Sequence, residues 1–121
     1  MTEAPVTLVT PTSDAAFAED VLGAPLPVLV DFTADRCPPC RMIAPVLESL
    51  AADLRDELRI VTLDVDHNPR TTARYGVLST PTLMLFRAGE PLNSLVGARP
   101  KARLHAELAD HLPGEERPRR W

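Results

Sequence analysis

Apolar positions along the chain alternate between short unbroken runs and longer stripes of helical spacing. Val28-Leu29-Val30-Asp31-Phe32 is apolar on both faces, the pattern of a buried central strand. Met42, Ile43, Val46, Leu47, Leu50, Ala51 and Leu54 form one stripe and predict a long amphipathic helix, with Pro45 inside it as a kink. A second strand is predicted over 59–66 and a third at Leu83-Met84-Leu85-Phe86. Ala88-Gly89-Glu90-Pro91 is a turn, with Leu92 to Val96 as the antiparallel return strand. Leu104, Leu108 and Leu112 stand at i, i+4 and i+8 and predict a last helix opened by Pro100. Upstream, Val6-Thr7-Leu8-Val9 is a β-prone patch that suits an edge strand. Ser13 reads as the N-cap of a helix that presents Phe17, Val21 and Leu22 and stops at Gly23. Asn68 reads as the cap of a short helix to about Tyr75, ended by Gly76. The order β-α-β-α-β-α-β-β-α is that of an α/β domain with parallel units first and a closing hairpin.

Composition narrows the function classes. The 121 residues include 45% apolar and 25% charged side chains, which suits one globular domain over residues 1–112 with a flexible tail at 113–121. Trp121 closes that tail. A formal charge of −4 lacks the basic stripe that nucleic acid calls for. No run approaches the ~20 apolar residues of a membrane span or the pattern of a signal peptide, so a cytoplasmic protein is expected; a monomer is expected as well. The two cysteines, Cys37 and Cys40, lie three apart. In a reducing compartment a structural disulfide is not expected, and so short a loop constrains the unfolded chain little. Reactivity, a metal site and chance are the readings left. A metal module is disfavoured because one Cys-X-X-Cys supplies two of the four ligands structural zinc takes, and His67, His105 and His111 fall on a distant turn and the last helix.

Taken together, Val28 to Phe32, Cys37-Pro38-Pro39-Cys40, Met42-Ile43-Ala44-Pro45, Asp64-Val65-Asp66, Thr80-Pro81-Thr82 and Val96-Gly97 resemble the thioredoxin family in order and spacing. The resemblance covers about residues 6–112. It implies the thioredoxin fold, a central mixed sheet of about five strands flanked by four helices. It also implies a thiol–disulfide oxidoreductase that reduces protein disulfides without a bound cofactor. Electrons would come from an NADPH-dependent, thioredoxin reductase-like flavoprotein and pass to disulfide-containing target proteins.

The roles implied are specific. Cys37, at a helix N-terminus where free N–H groups and the dipole favour anions, is the expected nucleophile. A fall of its pKa from ~8.5 to ~7 corresponds to about 2 kcal/mol of thiolate stabilisation. Cys40, one turn further and more buried, is the resolving thiol. Asp31, a carboxyl in an apolar strand, is expected to titrate high and serve Cys40 as acid and base. Thr80-Pro81 is the expected cis-proline segment that pairs with an extended substrate. Gly97, Ala98, Pro38, Pro39 and Arg36 are expected to line the docking surface. Departures from the family pattern alter partner choice rather than mechanism. Pro-Pro replaces Gly-Pro between the cysteines, removing one amide and predicting a stiffer site with a less depressed Cys37 pKa. Arg36 and Thr33 stand where tryptophans are usual, and Thr62 where the family has a buried lysine. A same-fold oxidant or isomerase, a dedicated reductant of one partner and a non-enzymatic adaptor are the competing readings.

Overall fold

The computed structural model describes residues 7–113. Five strands form one mixed sheet in the order β1-β3-β2-β4-β5: β1 (Thr10–Pro11), β2 (Val28–Thr33), β3 (Arg59–Asp64), β4 (Thr82–Arg87) and β5 (Glu90–Val96). β1 and β2 run parallel to β3, and β4 is antiparallel to both β2 and β5. Four helical segments connect them: a π-type turn at Ala18–Leu22, α1 (Pro38–Asp53), α2 (Pro69–Arg74) and α3 (Lys101–Leu108), which runs on as a 3-10 turn at Ala109–His111. This is the α/β order read from the hydrophobic pattern.

The sheet is covered on both faces because successive side chains of a strand point to opposite sides. Leu29 packs with Ile43, Leu47 and Leu50 of α1 and with Leu104, Leu108 and Leu112, all buried. Val28, Val30 and Phe32 pack the other way, with Phe17, Val21, Met84 and Phe86. Phe17, Tyr75 and Phe86 form an aromatic trio there, with ring centroids 5.0–5.6 Å apart. Each fully buried leucine contributes about 1.5–3 kcal/mol relative to exposure. β2, in the middle of the sheet and buried along nearly its whole length, therefore gives the segment that follows it a rigid base.

Four local expectations are corrected. The edge strand is Thr10–Pro11, not 6–9, and Val6 lies outside the described residues. The Leu8 and Val9 amides donate instead to the Glu48 carboxylate of α1, at 3.1 and 3.3 Å, so the ladder begins only after them. The first helix is a five-residue π-type turn, closed by the Gly23 amide on the Ala18 carbonyl; Ser13 Oγ still accepts the Ala16 amide. Asn68 makes no cap on α2. Its side chain accepts the Asp14 amide and donates to the Asp64 carbonyl, while Asp14 accepts the Arg70 and Thr71 amides. The first turn of α2 is thus capped from a segment 56–57 residues away. Finally, β3 stops at Asp64, whose side chain turns the chain by accepting the Asp66 amide at 2.9 Å. Of the expected tail, residues 114–121 lie outside the described residues.

Candidate active site

β2 ends at Thr33 and three loop residues lead to Cys37. The last of them, Arg36, is exposed and holds a left-handed φ of 57°. A non-glycine residue there is strained by about 1–2 kcal/mol. The turn delivers Cys37 to the N-cap of α1 in an extended conformation, with Pro38 at the first helical position, where a missing N–H costs nothing. Pro38 is exposed and Pro39 half-buried. Pro45 lies within α1 as expected.

Cys37 and Cys40 are joined in a disulfide with their Cα atoms 5.2 Å apart. Cys37 is 7% exposed and Cys40 5%, a smaller contrast than their positions suggested. The Cys40 amide donates to Cys37 Sγ at 3.3 Å, the capping bond of this helix. That donor belongs to the third helical residue, so the adjacent prolines do not remove it.

A second segment, leading into the neighbouring strand β4, meets the sulfur. The Thr80–Pro81 bond is cis, as expected. The Thr80 hydroxyl donates to Cys37 Sγ at 3.4 Å and the Thr80 carbonyl oxygen lies 3.6 Å from the same sulfur. Pro81 is buried, and its carbonyl accepts the Gly97 amide at 2.9 Å. Gly97 takes a φ of +96°, which favours glycine, and Ala98 beside it is exposed. Cys37, Thr80, Pro81 and Gly97 therefore form one continuous set of contacts, with Arg36, Pro38 and Ala98 around it.

Asp31 lies below this surface. By strand alternation it shares the face of Leu29 and points to the side covered by α1, whose first turn carries Cys40. It is 3% exposed, and its Oδ1 has no hydrogen-bond partner. Burial pushes its pKa up to about 7. Its strand neighbours are Thr62 and Leu83, neither charged, so no cation opposes the desolvation. His67 instead stands beside Asp64 in the turn after β3. Among the described residues, no group of three His, Cys, Asp or Glu side chains could hold a metal ion.

The thioredoxin family's sequence model matches residues 8–110. This chain belongs to the thioredoxin family. A thioredoxin of Mycobacterium tuberculosis is 47% identical to it over 113 residues, 93% of this chain and 97% of the relative. A thioredoxin of Synechocystis is 47% identical over 100 residues, 83% of this chain and 94% of its own. A bifunctional thioredoxin reductase/thioredoxin of Mycobacterium leprae is 48% identical over 101 residues, 84% of this chain and 22% of that protein. The chain is accordingly a thiol–disulfide oxidoreductase, a disulfide reductase whose redox-active group is its own cysteine pair. No helix among the described residues is long and apolar enough to cross a membrane.

Three features of this thioredoxin site were not read from the sequence. Among the described residues the exposed large apolar side chains are Met42, which the hydrophobic pattern put in the stripe of α1 but which faces solvent, Leu78 just before the cis-proline and Val96 at the end of β5. Leu78 was detectable as an apolar residue with no place in any stripe. The Thr80 hydroxyl bond carries no sequence signal beyond the residue type. The third is Arg99, whose side chain folds back over the Gly97 segment.

Proposed function

We propose that in this thioredoxin Cys37 is the attacking thiol, Cys40 the resolving thiol and Asp31 the group that takes and returns the Cys40 proton. The Cys37 thiolate attacks one sulfur of a substrate disulfide. A mixed disulfide forms and the other substrate sulfur leaves as a thiolate. Asp31 accepts the Cys40 proton; Cys40 sulfur then attacks Cys37 Sγ, releasing the second substrate thiol and closing the Cys37–Cys40 disulfide. Two electrons pass from the protein to the substrate. The observation that carries the reading is the pair of donors, the Cys40 amide and the Thr80 hydroxyl, aimed at Cys37 Sγ at the head of α1. A buried carboxyl with a pKa of about 7 under the same helix supports the proton role.

The substrate lies along Thr80, Pro81, Gly97 and Ala98 as an added strand, beside Pro38, Pro39 and Arg36. The exposed Met42, Leu78 and Val96, each within two residues in sequence of Cys40, Thr80 or Gly97, favour apolar contact with disulfide-containing target proteins. Electrons arrive from an NADPH-dependent flavoprotein reductase; the M. leprae relative named a bifunctional thioredoxin reductase/thioredoxin favours such a donor. The working unit is a monomer, residues 1–112 with an appended 113–121 segment, in the reducing cytoplasm.

Two measurements test this. A Cys40→Ser variant is expected to accumulate a mixed disulfide with insulin and a Cys37→Ser variant none; the reverse pattern overturns the assignment. Equilibration against a thiol buffer is expected to give a midpoint near or below about −250 mV, whereas about −180 to −120 mV belongs to isomerases and oxidants.

A further inference from the structure

Strand β5 ends at Val96, and the chain must turn over Gly97 and Ala98 before Pro100 opens α3. Two carbonyls, those of Val96 and Gly97, are left without strand partners at that turn. Arg99 covers both. Its Nη2 donates to the Val96 carbonyl and, at 3.2 Å, to that of Gly97; its Nε donates to the Gly97 carbonyl at 3.3 Å. Its Nη1 reaches the two oxygens of Glu107 on α3 at 2.9 and 3.0 Å. The Arg99 side chain is 7% exposed, against 42% for Lys101 and 64% for Arg103 in their ion pairs. These hydrogen bonds hold the Glu107 carboxyl below the usual range, with help from Arg103, whose Nε lies 3.4 Å away. A planar guanidinium that binds carbonyls on one edge and a carboxylate on another fixes orientation as well as position.

We propose that Arg99, clamped by Glu107, is a positioning residue that sets the Gly97–Ala98 segment for protein substrates. The proposal rests on the reading of Gly97 and Ala98 as docking surface. The segment itself has little to hold it: Gly97 has no side chain and a left-handed φ, and one amide bond ties it to Pro81. Without the clamp a substrate must order the segment as it binds, which raises KM while the sulfur chemistry at Cys37 is untouched. A small disulfide makes no such contact and is indifferent to it.

The test compares reduction of insulin with reduction of hydroxyethyl disulfide, each driven by dithiothreitol, for Arg99→Gln, Arg99→Lys and Glu107→Gln. Expected is a KM for insulin raised about fivefold in Arg99→Gln, less in the other two, with kcat, the hydroxyethyl disulfide rate and the midpoint potential unchanged. Faster amide exchange at Gly97 and Ala98 accompanies the KM change. A simple charge attraction between Arg99 and substrate predicts opposite shifts in the Arg99 and Glu107 variants; the clamp predicts the same direction in both, and opposite shifts overturn it. Equal losses on both substrates mean a structural role only and also overturn it. Ala98→Glu separates the underlying reading. If it raises the insulin KM while the Arg99 and Glu107 variants do not, the clamp falls and the docking surface stands. If it leaves KM unchanged, the docking surface itself falls.

Discussion

At the scale of single residues the proposed mechanism asks the site to keep one sulfur anionic in the reduced protein. Cys37 has two donors, the Cys40 amide and the Thr80 hydroxyl, plus the N-terminal end of α1. A hydrogen bond to an ionised acceptor is worth about 1.5–3 kcal/mol, and one pKa unit is about 1.4 kcal/mol. Replacing Thr80 by valine keeps the shape and removes the donor. Thr80→Val in the reduced protein is therefore expected to raise the Cys37 pKa by about one unit, read from the pH dependence of alkylation by iodoacetamide. An unchanged profile would mean that the Cys40 amide and the dipole suffice. The residue types of the site were legible because their chemistry is tied to spacing: a Cys-X-X-Cys at a proline-marked helix start, an Asp in an apolar strand, a Thr-Pro before another. What was not legible was which atom donates to which. Pro-Pro suggested a lost amide at the sulfur, yet the amide in use belongs to Cys40 and survives. The long-range bond from Thr80, 43 residues on, depends on a fold that brings two loops together.

At the scale of elements, existence was easier to read than boundaries. Long stripes such as that of α1 are decided by core burial, which the sequence pattern records directly. Edges are decided by whichever partner reaches an amide first, and Glu48 reaches Leu8 and Val9 before β3 can. The cap of α2 is the same lesson, since Asp14 rather than Asn68 supplies it. Burial pushes the Asp14 pKa up, but the Thr71 hydroxyl and the Thr71 and Arg70 amides outweigh that and hold it low. Asp14→Ala is expected to lower the guanidinium unfolding midpoint at neutral pH, and Asn68→Ala to lower it as well because Asn68 accepts the Asp14 amide. The β4–β5 hairpin offers the opposite sign. Its two-residue turn, Ala88-Gly89, takes positive φ at both positions, 52° and 82°. Glycine suits this and alanine does not, whereas asparagine visits the left-handed region readily. Ala88→Asn is expected to stabilise by about 0.5–1 kcal/mol and raise Tm by a few degrees in calorimetry. A lower Tm would show that the Ala88 methyl is packed rather than strained.

At the scale of the whole molecule, one buried carboxyl sets stability against function. Asp31 is neutral when protonated and unpaired when ionised, and its native pKa of about 7 lies well above the unfolded value. The native state therefore holds that proton more tightly than the unfolded chain. Its contribution is full below pH ~4, declines as pH rises from there, and is lost above the native pKa of about 7. The shift, at about 1.4 kcal/mol per unit, amounts to about 4 kcal/mol, a large share of the ~5–15 kcal/mol that holds a domain folded. Asp14, Asp64 and Glu107 act in the other direction: their pKa values are lowered, so their contributions are present above the ordinary carboxylate range and lost in acid. Together they place maximal stability of the oxidised protein in the weakly acidic range. Asp31→Asn keeps the shape and removes the ionisation. Guanidinium unfolding of the oxidised forms is expected to show little difference at pH ~4 and a variant more stable by several kcal/mol at pH 8. The same substitution is expected to slow insulin reduction near neutral pH, because it removes the proton acceptor proposed for Cys40. A variant stabilised at pH 8 with full activity would leave Asp31 as a cost without a role. Stabilisation together with slowed resolution would show that the desolvation cost in β2 and the proton proposed for Cys40 have one origin: a carboxyl placed where only its protonated form is at ease.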